Sequence, residues 1–151
     1  MKLEQLLAVV AISLAGCTSS TEPRVPADGF VSTLSVGPRT VAVGEHIYAV
    51  WTVENMSPTS VTRVYNMPGA QGFILLIDAT PRNTVIQQVK GEMLVVDGDS
   101  LTIAAHSKLV WHNEYVAAAA GAATVSGCLP PDSTQGFDWI CVSRAVSVTG
   151  S

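Results

Sequence analysis

Basic side chains, aromatic rings and cysteines are all scarce in this chain of 151 residues. Eight Lys and Arg stand against twelve Asp and Glu, a formal net charge of -4. The clustered positive charge that neutralises a phosphate backbone is missing, so no nucleic-acid partner is expected. Aromatic residues make up 6% of the chain and charged ones 13%, yet 48% is hydrophobic, which excludes a disordered polymer and fits one globular domain. Catalytic signatures are equally absent. No Gly-x-Ser-x-Gly elbow, Ser-x-x-Lys, His-Glu-x-x-His, Walker-type or dinucleotide-type glycine pattern occurs, so neither an enzymatic activity nor a cofactor is expected.

What the chain has in plenty is β-branched residues: 21 Val, 13 Thr and 7 Ile. These lose rotamer freedom in helices and pack well on pleated sheets. Turn signals recur at Gly37-Pro38, Gly44-Glu45, residues 55–58, 67–72 and 80–83, Asp97-Gly98-Asp99 and residues 130–136. Between them lie short apolar runs. In residues 46–54, Ile47, Ala49, Trp51 and Val53 alternate with His46, Tyr48, Val50, Thr52 and Glu54, which predicts a strand with Trp51 in the core. The continuous run 73–77 predicts a central strand, and residues 84–89, 93–96, 101–104, 109–116 and 139–149 predict others. In the last of these Ile140, Val142, Val146 and Val148 share a face with Arg144. The Ala-rich stretch 117–123 offers no apolar stripe and reads as a connection between strands. Strands without helices must hide their apolar faces against one another, so the expected fold is all-β, an antiparallel sandwich of about seven to nine strands, with a small barrel as the alternative.

The first residues have a different composition. The apolar stretch from Leu6 to Ala15, broken by Ser13, is too short to span a bilayer and reads as a secretory signal. It ends in Leu14-Ala15-Gly16-Cys17, an order of an apolar residue, two small residues and cysteine that resembles the lipobox of bacterial lipoproteins. The resemblance implies a signal peptide over residues 1–16, cleavage after Gly16 and acylation of Cys17. The protein would then be lipid-anchored in the cell envelope, in a diderm organism at the outer membrane facing the periplasm or the cell surface. Several acyl chains on one residue hold a soluble domain stably, where a single chain would not. Residues 17–29 follow as a lipidated tether of small polar residues and prolines, reaching about 20 Å as a flexible chain, and the folded domain is placed at residues 30–151.

Within that domain, the segment from Val41 to Asn55 and residues 109–125, with Gly121 before a strand, resemble the immunoglobulin-like sandwiches of bacterial surface proteins. In outline they are similar to BsuPI-type proteinase inhibitor domains, which share a strand ending in Asn, a hairpin acid as at Leu76-Ile77-Asp78 and a late Trp. The resemblance implies an immunoglobulin-like fold. Its functional implication, proteinase inhibition, stands as the alternative to a non-catalytic binding or structural module of unknown partner. An inhibitory loop would come from residues 66–72 or 129–139.

With Cys17 taken by lipid, Cys128 and Cys141 remain as an even pair in an exported domain, and they are expected to form a disulfide closing the loop before the last strand. That loop carries Phe137, Asp138 and Trp139, two aromatics near two prolines, and is the candidate binding loop. Its alternative role is to cover the sandwich edge. His112 and Glu114 share one strand face, and His46 and His106 complete a conceivable metal set. No second paired arm accompanies them, so they read as solvent-face residues and no metal is expected. Met56, Met67 and Met93 lack the spacing of a copper site and read as loop or gap-filling residues.

Overall fold

The computed structural model describes residues 29–64, 73–75, 77–81, 84–92, 94–96, 100–129, 132 and 140–150. The signal segment, Cys17, residues 66–72 and the candidate loop Phe137, Asp138 and Trp139 lie outside the described residues. All regular structure among the described residues is strand. In chain order the strands are β1 (Phe30–Gly37), β2 (Thr40–Ala42), β3 (His46–Asn55), β4 (Val61–Val64), β5 (Phe73–Leu75), β6 (Ile77–Thr80), β7 (Ile86–Gly91), β8 (Leu94–Val96), β9 (Ser100–Ile103), β10 (Lys108–Ala117), β11 (Gly121–Leu129) and β12 (Ile140–Thr149).

Two four-stranded sheets carry the architecture, one ordered β1-β3-β10-β7 and the other β2-β12-β11-β6. The first has the order of the ABED sheet of an immunoglobulin-like sandwich, and β12-β11-β6 corresponds to its GFC sheet. Twelve strands against the expected seven to nine reflect two additional ribbons, β4-β9 and β5-β8. The chain leaves one sheet for the other at the cis Gly37-Pro38 peptide, after which β2 runs parallel to β12.

The expected central strand over 73–77 is not formed. Among the described residues, 73–75 form β5, which pairs with β8, and Ile77 opens β6, which lies at the edge of the second sheet on β11. A continuous apolar run identifies burial without saying which partner supplies it, and here two sheets share the segment.

Alternation along β3 is realised as read: Ile47, Ala49, Trp51 and Val53 are buried. Facing them from the second sheet are Ala123, Val125, Leu129, Val146 and Val148, all buried. At the centre, Trp51 and Trp111 stand directly opposite across β3 and β10, with ring centroids 4.8 Å apart and planes at 30°. The Trp51 indole N–H donates to Ser32 Oγ at 2.7 Å, so its polar edge is satisfied inside the core. The other face of that indole meets Gly127 of β11, where a Cβ would lie 2.6 Å from ring carbons. Only a residue without a side chain lets the two sheets close over this ring.

Polar groups close the end of the sandwich where the domain begins. Asn55, fully buried at the end of β3, donates through Nδ2 to the carbonyls of Thr59 (2.8 Å), Ile103 (2.9 Å) and Ala104 (3.1 Å) and accepts from Ser57 N at 2.9 Å. One amide thus ties β3 to the turn between β9 and β10. Nearby, Arg63 is wholly buried with its guanidinium carbon 6.0 Å from the Phe30 ring centroid. Buried Asp132 accepts from Val64 N at 3.1 Å. Sequence reasoning had nominated neither charge.

Cys128 and Cys141 are joined, as expected, and they are register partners of adjacent strands β11 and β12. The bridge lies on the outward side of the second sheet beside Ser126 and Ser143, whose hydroxyls are 2.8 Å apart. The Ala-rich stretch is a connection only over residues 118–120; Ala122 and Ala123 belong to β11. Ala118 N and Ala119 N both bond to Val85 O, at 2.8 and 3.2 Å.

Two measurements check this core. Gly127→Ala is expected to lose about 1–3 kcal/mol of unfolding free energy in urea titration, the usual cost of overpacking, while Gly150→Ala, with open space around it, changes nothing measurable. Shrinking the facing ring by Trp51→Phe should make the Gly127→Ala cost smaller in the double variant. Asn55→Ala strands several backbone groups at once and is expected to cost about 2 kcal/mol or more by the same titration.

Candidate functional site

The outward face of the β1-β3-β10-β7 sheet is set by the register that stacks the tryptophans inside. Side chains alternate across a strand, so once Trp51 and Trp111 point in, Tyr48, Val50, His112 and Glu114 point out. Two rows result. In one, Tyr48, Glu114 and Lys90 are successive neighbours across β3, β10 and β7; in the other, Val50 neighbours His112, and Glu92 follows just beyond β7.

The β7 side of these rows owes its position to a bulge. Lys90 pairs with Glu114 and Gln88 with Tyr115, so Val89 is an extra residue on β7 opposite a single step of β10. Past the bulge, Glu92 N donates to His112 O at 3.1 Å, and the Glu92 carboxylate takes over the ladder. Its Oε2 accepts from His112 N at 2.8 Å and from His112 Nδ1 at 3.0 Å. Asn113 Oδ1 also accepts from Glu92 N, at 3.2 Å.

A second imidazole–carboxylate pair lies next to the first. His46 Nδ1 donates to Glu114 Oε1 at 2.6 Å, and the His46 ring lies 21° from parallel to Tyr48 at 6.5 Å between centroids. Tyr48 remains 55% exposed, the ring of a large side chain left open to water. Between β3 and the end of β7 is an open cleft of about 330 Å³, lined by the side chains of Tyr48, Val50, Lys90, Glu92, His112 and Glu114. That volume falls at the lower end of the range of small-molecule sites, about 300–1,000 Å³.

The side-chain and backbone hydrogen bonds from His112 hold the Glu92 carboxyl below the usual carboxylate range, and Lys90 adds a smaller effect in the same direction. Glu92 therefore stays ionised at neutral pH. Since Glu92 is an ionised acceptor, the His112 Nδ1 that faces it carries the hydrogen.

The sequence constellation is thus divided. His112 and Glu114 share a face as expected, and His46 joins them, but each histidine has its own glutamate. His106 lies in the turn before β10 with φ 53°, away from the cleft. Among the described residues no group of three or more His, Cys, Asp or Glu is arranged to hold a metal ion. Met56 is an exposed residue after β3; Met67 and Met93 lie outside the described residues, as do Asp97, Gly98 and Asp99. Glu92 and Lys90 were missed. Their placement depends on the β7 bulge at Val89, whose one mark in the sequence is Gly91 just after it, beyond the end of the expected strand 84–89.

No protein-family model matches the chain, and no curated protein sequence matches it. Solved structures do. The chain resembles part of the native conformation of alpha-2-macroglobulin from E. coli, with 11% identity and a TM-score of 0.53, covering 81% of this chain and 7% of that one. It also resembles the CARDB domain of a Pyrococcus furiosus protein solved with di-metal ions, with 9% identity and a TM-score of 0.48, covering 82% of this chain and 97% of that one. The fold is an immunoglobulin-like β-sandwich. At these identities the likeness concerns the fold alone, and this chain spans only a small part of the macroglobulin's length.

The His112–Glu92 pair yields a measurable consequence. A carboxyl whose pKa is lower in the folded than in the unfolded protein contributes stability above the ordinary carboxylate pKa, and this is lost as pH falls through the lowered value. Carbon-detected NMR titration is expected to find the Glu92 carboxyl titrating below the usual carboxylate range. In His112→Ala it moves up but not fully, because the backbone N–H bond remains.

Proposed function

We propose that this protein is an extracytoplasmic lipoprotein, anchored through acylated Cys17, whose immunoglobulin-like sandwich acts as a non-catalytic binding or structural module. The observation that carries the reading is the use of cysteine. Cys128 and Cys141 are joined to each other across β11 and β12, which leaves one further cysteine in the chain, and that one stands in Leu14-Ala15-Gly16-Cys17. A persistent disulfide suits an oxidising compartment outside the cytoplasm. The lipobox order supplies the address, and residues 18–29 supply a tether.

The sandwich suits this role because its two sheets consume their apolar faces on one another and leave outward faces of alternating polar residues. Phe30 opens β1 opposite Asn55, whereas Gly37 lies opposite Tyr48 in the cleft row. Seven residues of strand separate the two ends, about 23 Å at the rise of an antiparallel strand. An anchored domain would therefore hold the cleft at the far end from its lipid. Proteinase inhibition, implied by resemblance to the BsuPI-type domains, would need a protruding loop in residues 66–72 or 129–139. Those loops lie mostly outside the described residues, and nothing else favours that role over binding.

Acyl labelling tests the anchor. In the native host, incorporation of an alkyne-tagged fatty acid is expected for the wild-type chain and is lost in Cys17→Ser, whereas Cys128→Ser retains it. Labelling that persists in Cys17→Ser would overturn the lipoprotein reading.

A further inference from the structure

We propose that the cleft on the open face of the β1-β3-β10-β7 sheet is a saccharide-binding site, with Tyr48 as the stacking platform and Glu92, Glu114, His112 and Lys90 as the hydroxyl-binding groups. This deepens the reading of the domain as a binding module and rests on it.

Glu92 uses Oε2 for His112 and Glu114 uses Oε1 for His46. Among the described residues, Glu92 Oε1, Glu114 Oε2 and the His112 Nε2 make no hydrogen bond, nor do Lys90 Nζ and the Tyr48 hydroxyl. The cleft therefore presents two carboxylate oxygens as acceptors, the Lys90 and Tyr48 groups as donors and the free His112 Nε2, around an exposed aromatic ring. Each class of small ligand meets these groups differently. A phosphate or sulfate brings acceptors only and would face two carboxylates. An organic cation would satisfy the acceptors but meet Lys90. A wholly apolar molecule would cover polar groups without bonding them, at a cost for each.

A saccharide matches the mixture. Every hydroxyl both donates and accepts, so one ring can bond to carboxylate oxygens and to Lys90 at once. Its C–H face can lie on the Tyr48 ring, a large rigid surface that loses little conformational entropy on binding. The lining is also held before any ligand arrives. The His46 ring backs Tyr48, and each carboxylate is fixed by an imidazole, which lowers the ordering cost of binding. A volume of about 330 Å³, open to water, suits one or two sugar units of a longer chain.

The test uses the full mature chain carrying Cys17→Ser, labelled with nitrogen-15, and follows its amide spectrum. The probes are the β-1,4-linked trimers of glucose and of N-acetylglucosamine, with inorganic phosphate and Zn²⁺ added separately. Saturable shifts at the amides of Tyr48, Lys90, Glu92, His112 and Glu114 with one of the trimers are expected at millimolar concentration. Tyr48→Ala and Glu92→Gln should each weaken that binding about tenfold, with the remaining spectrum unchanged, and Tyr48→Phe should retain most of it. The absence of saturable shifts with both trimers overturns the proposal, and so does a response at these residues to phosphate or Zn²⁺ alone. Saturable sugar shifts on another surface also sink the cleft while leaving the binding-module reading standing. Acylation of Cys17 is scored independently of all these outcomes.

Discussion

Closure of two sheets over one indole is the contact on which the rest of the structure depends. Trp51 is the largest wholly buried side chain among the described residues, and it fits because β11 presents Gly127 to its face. Packed sheets are ordinarily about 10 Å apart, with side chains from both filling the gap. Here one sheet supplies nearly all the depth at that point and the other supplies none. Trp111 stacks beside Trp51 from the neighbouring strand, so the same pair also fixes the register of β3 on β10. A slip of one residue in either strand would turn that strand's ring to water and its outward residues to the core. The arrangement of Tyr48, His112 and Glu114 is thus a consequence of packing on the opposite side of the sheet.

The outward face shows how such a sheet remains open to water. Its aliphatic and aromatic residues are interleaved with charges of both signs, and the two imidazole–carboxylate pairs tie neighbouring strands together. Exposed pairs of this kind contribute little to stability. Their larger effect is to restrict the rotamers of four side chains that would otherwise move freely. The edge strand β7 is short and bulged, with Lys90 near its end, features that discourage pairing with a strand from another chain. Beyond it, Glu92 substitutes a side-chain carboxylate for the next backbone carbonyl, so the ladder ends in a charged group.

Much of the fold was legible in residues 46–54, where period-two alternation names the buried face one residue at a time. The disulfide was legible by elimination, once Cys17 had been assigned to a lipobox. Asn55 was visible only as a strand-ending residue; that its amide gathers three carbonyls depends on a turn some fifty positions later. The run 73–77 misled because hydrophobicity reports burial and says nothing of which sheet provides it. Arg63 and Asp132 were invisible for the opposite reason, since charged residues are ordinarily taken to be exposed. The cleft was half legible. His112 and Glu114 announce a shared face by their spacing, but Glu92 joins them through the extra residue Val89, and Gly91 beyond it marks an irregularity without saying which residue is extra.

The fold and the proposed anchor constrain one another through the direction of β1. The strand starts at the end closed by Asn55 and finishes beside Tyr48, so its length sets the distance between tether and cleft. The proposed tether would add about 20 Å to the roughly 23 Å of strand. A cleft so placed would reach ligands some tens of ångströms from the lipid and would be poorly positioned for lipid headgroups. On a tether of the proposed kind the domain would be free to rotate, which matters because the cleft opens sideways from the sheet instead of along the strands. A polymer lying parallel to the membrane could then be met by the open face, whereas a ligand presented end-on would encounter the loops between strands. With the proposed anchor and tether in place, the direction of β1 would favour an extended partner over a membrane-embedded one.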